Sequence, residues 1–182
     1  SKIHRCARSL RLANSRASIA HVFMAWYGWP RMKVLRVIYH SQSGNTERLA
    51  RAVVRGAEFD GSVQVVCSRA FETSLEELLR AAGVVFATAE YNGYMSGALK
   101  DFFDRTYEPA RGHVTGKPYA VVISAGNDGT FANQYIERIA RGYELKRIAE
   151  PTIIVGAVTP EAEARCEELG ELFAAGLELG IF

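Results

Sequence analysis

The chain has 182 residues, 48% of them hydrophobic and 23% charged, with no apolar run near the ~18 residues that a membrane span requires, so a single soluble globular domain is the expectation. The net charge of +2 hides an asymmetry: residues 1–31 hold Lys2, Arg5, Arg8, Arg11, Arg16 and Arg31 and no acid, so the other 16 basic and 20 acidic residues leave −4 on the rest, which argues against nucleic acid as a partner. Cys6, Cys67 and Cys166 are odd in number and far apart, without the Cys-x-x-Cys or Cys/His spacing of a zinc site or a disulfide framework, and this points to the reducing cytoplasm.

In chain order, the acid-free segment 1–31 comes first. It is rich in Arg and Ser, ends in Trp26, Tyr27, Gly28, Trp29 and Pro30, and has the composition of a transit peptide. A second and favoured reading makes Met32 the true start, because Met-Lys followed at once by a β-type run opens many α/β chains; a functional basic tail is third. Whether residues 1–31 are a basic leader or lie upstream of the true start, they are expected outside the core, and residues 32–182 form the single domain of the chain.

From residue 33 onward, apolar β-type runs alternate with helix-patterned segments. The runs are 33–39, 62–67, 83–88, 118–124 and 152–158, most of them near-continuously apolar, as strands covered on both faces should be. Between and after them, apolar residues fall at helical spacing: Leu49, Ala52, Val53; Leu75, Leu78, Leu79; Leu99, Phe102, Phe103; Ile136, Ile139, Ala140; Leu169, Leu172, Phe173. Thr159 before Pro160, with Glu161 and Glu163 after it, marks a capped start of the last helix.

This alternation reads as an α/β fold of five βα units. Right-handed crossovers then give a five-stranded parallel sheet of order 2-1-3-4-5, with the ligand outside the C-terminal strand ends at the switch point. The loops after strands 1, 3 and 4, residues 40–47, 89–97 and 125–131, should converge on one crevice.

Each of those loops has a chemical reading and a plain one. In the first, Ser41, Ser43 and Thr46 surround a helix N-terminus whose first-turn N–H groups are unpaired, and Gly44 allows close backbone approach, so the loop is either an anion site or an ordinary capped turn. It has no lysine and no Gly-x-x-x-x-Gly-Lys pattern, which suits a phosphomonoester better than a triphosphate. In the second, Asn92-Gly93 favours a tight turn with outward N–H groups, while Tyr91 and Tyr94 offer faces for a flat ring or merely cover the strand ends. The third, with Gly126, Asn127, Asp128 and Gly129, is a small-residue loop before a helix and is weak evidence by itself.

Together these loops give the chain a resemblance to the flavodoxin-like superfamily. Ser41-x-Ser43-Gly44-x-Thr46 resembles the flavodoxin FMN-phosphate loop, and residues 90–105, Glu-Tyr-Asn-Gly and then Gly-x-Leu-Lys-x-Phe-x-Asp-Arg, resemble the NAD(P)H-dependent FMN reductases and quinone reductases. The likeness covers residues 33–178 and implies a three-layer sandwich. It also implies that Ser41, Gln42, Ser43, Gly44, Asn45 and Thr46 hold the FMN phosphate, that Glu90, Tyr91, Asn92, Gly93 and Tyr94 line the isoalloxazine, and that Gly126, Asn127, Asp128 and Gly129 border it. One departure is Ala89, where the family usually carries proline, and it makes this loop less stiff.

The function that the resemblance implies is an FMN-dependent oxidoreductase that takes electrons from NADPH or NADH and passes them to a quinone or similar small-molecule acceptor. It needs no catalytic side chain acting as nucleophile or obligate base, and no metal. The alternative is a flavodoxin-type electron carrier serving a redox partner. A phosphoacceptor receiver domain is discarded, because Tyr39-His40-Ser41 stands where paired acids are needed. His40 reads as a strand-end histidine with a local hydrogen bond, and Arg111, His113 and Lys117 as a solvated basic loop. Asp104 and Arg105 fit a structural ion pair or a contact in a homo-oligomer better than catalysis.

Overall fold

The structure, a computed structural model, describes residues 32–182. The elements are β1 (Val34–Tyr39), α1 (Asn45–Ala57), β2 (Gln64–Arg69), α2 (Leu75–Arg80), β3 (Gly83–Tyr91), β4 (Tyr94–Met95), α3 (Gly97–Ala110), β5 (Pro118–Ala125), α4 (Thr130–Gly142), β6 (Lys146–Arg147), β7 (Thr152–Val155) and α5 (Pro160–Leu179). The expectation for residues 1–31 lies outside the described residues.

The sheet runs β2-β1-β3-β5-β6, with β7 also pairing β5 and β4 pairing β3. All pairs are parallel except β3 with β4. This is the expected 2-1-3-4-5 path of a flavodoxin-like sandwich, with its fifth place shared by two short strands. The predicted strand 152–158 is shortened to Thr152–Val155, because Gly156 turns away at φ 80°, and the short β6 is an unpredicted addition ahead of Pro151, which has no N–H to give a ladder. Two other boundaries move. The predicted run 62–67 pairs as Gln64–Arg69, since Asp60 Oδ1 accepts from Ser62 N in a turn that holds the start of the run out of the sheet. The predicted 83–88 extends to Tyr91, because Ala89 continues the ladder with β5 and Glu90 and Tyr91 enter a hairpin with β4.

Each face of the sheet is covered. Leu49, Val53 and Ala57 of α1 pack with Cys166, Leu169, Phe173 and Leu177 of α5 against one face. The other face receives Leu78 of α2, Leu99, Phe102 and Phe103 of α3, and Ile136 and Ala140 of α4. Each large apolar side chain buried this way contributes roughly 1.5–3 kcal/mol. The helices α1 and α5 approach so closely that a Cβ on Gly170 would sit 2.1 Å from the Val53 carbonyl oxygen, so only glycine fits there. Among the described residues no helix is long and apolar enough to cross a membrane.

Candidate functional site

At the C-terminal ends of β1, β3 and β5 the three expected loops are brought side by side, since β3 pairs both other strands. The first loop leaves β1 at His40 and enters α1 through Gly44, which sits in the left-handed region at φ 93° and serves as N-cap with no side-chain capping bond. Ser41 Oγ accepts from Gly44 N at 3.0 Å and so shapes the turn. Arg48 N bonds to Gly44 O, the first backbone bond of the helix; the N–H groups of Asn45, Thr46 and Glu47 find no acceptor among the described residues. Gln42 and Ser43 are exposed beside them. Thr46 is buried, its hydroxyl 2.8 Å from that of Ser124 at the end of β5.

The second loop is a hairpin. Tyr91 pairs with Tyr94 across Asn92 and Gly93, whose φ values of 52° and 71° are both positive, as a two-residue turn of the primed type requires. The N–H groups of Asn92 and Gly93 make no hydrogen bond among the described residues. Two buried contacts stiffen the hairpin base: Ser96 N donates to Thr88 Oγ1, and Ser96 Oγ accepts from Leu99 N to cap α3. The looseness expected from Ala89 does not arise, because Ala89 continues the ladder opposite Ser124.

Glu90 and the tyrosines divide their tasks. Glu90 Oε2 accepts from Ala132 N at 3.0 Å, placing a carboxylate on the first turn of α4 and tying the hairpin to it. Tyr91 meets the His40 ring edge-on, whereas Tyr94 packs at a 53° tilt against Tyr135 of α4, ring centroids 4.4 Å apart. In the third loop, Asp128 Oδ1 accepts from Thr130 N, and Gly129 caps α4 at φ 73°. Gly126 is open: a Cβ there would meet nothing within 4 Å.

Two expectations change. His40 makes no local side-chain hydrogen bond; its Nδ1 is buried without a partner, and burial together with Arg69 pushes its pKa down, so the ring is neutral at pH 7. Asp104 and Arg105 do not pair with each other: Asp104 pairs with Lys100, and Arg105 with Asp101 while donating to the carbonyls of Ala70 and Thr73. The basic loop before β5 stands at the opposite edge of the sheet from the crevice, where Lys117 Nζ donates to the carbonyls of Leu78 and Leu79. Burial pushes Cys67 up to about 11 and Cys166 up to about 12, so neither is a thiolate nucleophile at neutral pH. Among the described residues no cluster of His, Cys, Asp and Glu could hold a metal.

A family model described as NADPH-dependent FMN reductase matches residues 32–157. The chain belongs to that family. A flavodoxin of Aquifex aeolicus is 32% identical over 97 residues, which are 53% of this chain and 52% of that one, so the chain spans about half the length of this relative. Among solved structures, a flavodoxin from the domain Archaea superposes with a TM-score of 0.71 at 24% identity, over 80% of this chain and 99% of that chain. A WrbA-like flavodoxin from Agrobacterium tumefaciens gives 0.68 at 20% identity, over 81% and 98%. Both share the fold of this FMN reductase family member.

The donor set fits FMN. A monoester dianion suits an uncapped helix start flanked by hydroxyls, and the glycine at its N-cap leaves room for it. The free N–H groups at 92–93 suit the polar edge of a flat heterocycle. Three contributors in the family member escaped sequence reading. Ser124 supplies the partner of Thr46, Thr88 anchors the hairpin, and Phe131, 54% exposed, lies beside Gly93. Ser124 and Thr88 occupy strand ends, where a lone hydroxyl carries no pattern; Phe131 had a signal in being an apolar residue directly after a polar loop.

Proposed function

We propose that residues 32–182 form an FMN-dependent oxidoreductase that takes a hydride from NADPH or NADH and reduces a quinone or similar small acceptor in the cytoplasm. Residues 41–46 hold the phosphate with neutral donors and the α1 dipole, the 90–94 hairpin presents N–H groups to the heterocycle, and residues 126–129 border it. FMN supplies the hydride-accepting and hydride-donating chemistry. The chain's part is to bind, orient and tune. Positive ends of N–H dipoles aimed at the ring favour added negative charge on it, so the hairpin turn makes the cofactor easier to reduce.

The observation that carries this reading is the convergence of the uncapped α1 start with the donor-bearing turn at 92–93 on one sheet edge, with the thiols of Cys67 and Cys166 held protonated by burial. The flavodoxin of Aquifex aeolicus favours an electron carrier as the second reading. Purified protein should carry FMN, be reduced directly by NADPH or NADH without oxygen, and be reoxidised by benzoquinone. Bound FMN that neither nucleotide reduces would leave the carrier. Expression from Met32 should retain FMN, with residues 1–31 as a leader outside the core.

A further inference from the structure

On the outer side of the crevice, β2 ends in Arg69 and the loop that follows projects Phe71. Phe71 is 64% exposed, and its ring meets His40 edge-on at 6.3 Å, as does the ring of Tyr91. Phe71, His40 and Tyr91 therefore form a row of rings along the C-terminal edge of β2, β1 and β3. The first of them has a face free in water.

Arg69 is the less committed cation of a small cluster. Glu47 is gripped through Oε1 by both Nε and Nη2 of Arg51, at 3.1 and 2.7 Å, whereas Arg69 reaches Glu47 Oε2 only at 3.6 Å and otherwise lies over the Tyr39 ring. Its side chain remains 47% exposed. Arg51 alone satisfies Glu47, so Arg69 can turn to another anion at little electrostatic cost. His40, held neutral by burial and by the charge of Arg69, adds flat surface to the row and no competing charge.

We propose that this edge binds the adenosine 2′-phosphate half of NADPH, with the adenine stacked on Phe71 and the 2′-phosphate paired with Arg69, and that it selects NADPH over NADH. This rests on the oxidoreductase reading. An exposed aromatic and an under-used guanidinium two residues apart match an adenosine whose ribose carries a 2′-phosphomonoester, because one gives a stacking face for the base and the other a bidentate fork for the dianion. The FMN phosphate has neutral donors of its own in the first loop and does not need this cation.

The test uses the FMN-loaded protein and two fragments, 2′,5′-ADP and 5′-ADP, titrated by calorimetry, so that it does not depend on hydride transfer. The 2′-phosphate should tighten binding at least tenfold. Arg69→Ala should bring the two affinities within about twofold, Arg69→Lys should keep part of the preference, and Phe71→Ala should weaken both fragments alike. Equal affinities in the natural sequence, or a preference that survives Arg69→Ala, would overturn the assignment. So would a loss of FMN relative to riboflavin in the apoprotein of Arg69→Ala, because Arg69 would then serve the FMN phosphate. Failure of NADPH to reduce the flavin, with fragment selectivity intact, would count against the oxidoreductase reading alone.

Discussion

Thr46 and Ser124, 78 positions apart in the chain, meet through buried hydroxyls 2.8 Å apart, and this one hydrogen bond ties the start of α1 to the end of β5 beneath the crevice. Replacing one partner leaves the other buried and unpaired, at a cost of about 1–3 kcal/mol. Thr46→Val and Ser124→Ala should each lower stability by that order in urea denaturation, and the double variant by clearly less than the sum. Ser43→Ala, at an exposed position, should leave stability unchanged and weaken FMN by roughly 1–3 kcal/mol if its hydroxyl holds the phosphate. Additive losses for the first pair would mean that the two hydroxyls do not depend on each other.

Gly126 and Gly129 stand three residues apart in the third loop but answer to different constraints. A Cβ on Gly129 would lie 2.6 Å from Ile153 Cγ2, and its φ of 73° is already unfavourable for an L-residue, so Gly129→Ala should cost about 1–3 kcal/mol in stability. A Cβ on Gly126 meets open space. Gly126→Ala should therefore unfold within about 0.5 kcal/mol of the natural sequence while losing FMN affinity, if the cofactor lies against this backbone. Equal thermal midpoints for the two variants would remove the distinction.

The sheet order was legible because near-continuous apolar runs such as 118–124 and the helical spacing of Leu99, Phe102 and Phe103 have few alternative solutions in a chain of strict βα alternation. The Asn92-Gly93 turn was legible for the same kind of reason, as few other residue pairs accept two positive φ values. What escaped depends on contacts between distant segments. Nothing around Glu90 announces that its carboxylate caps α4 through Ala132, and nothing around His40 indicates that Phe71 and Tyr91 will flank it. Strand ends moved where single residues decide, at Asp60 and Gly156, and those effects lie below the resolution of periodicity.

Lys117 provides a test of pH dependence away from the crevice. Burial lowers its pKa from 10.5 to about 8, so between about pH 8 and 10.5 the unfolded chain binds the proton that the folded chain has released. Stability contributed at this site therefore rises with pH across that window and is at its minimum below it. Lys117→Met lacks the titration, so the natural protein should gain on the variant as pH increases from about 8 to 10 in chemical denaturation. A difference that stays flat across that range would show that the ammonium is adequately solvated by the carbonyls of Leu78 and Leu79.

The hairpin turn is where fold and chemistry meet most directly. Asn92 and Gly93 hold positive φ so that Tyr91 can pair with Tyr94, and the same geometry leaves their two N–H groups without an acceptor among the described residues. An L-residue in the left-handed region costs roughly 1–2 kcal/mol, which Asn92 partly escapes through its short polar side chain and Gly93 escapes altogether. Gly93→Ala should consequently raise amide exchange across residues 90–95, with little change in global unfolding, because the core on that face rests on Phe86, Phe102 and Phe103 instead. Its Cβ would meet only Phe131, at 4.0 Å, so strain rather than collision is the cause. On the proposed placement of the flavin, loosening the turn aims these N–H dipoles less well and stabilises negative charge on the ring less. FMN reduction potential and FMN affinity should fall together in Gly93→Ala, whereas Asn92→Gly, which keeps the φ signs, should leave both near their natural values. A Gly93→Ala protein with unaltered potential and affinity would place the flavin's polar edge away from this turn.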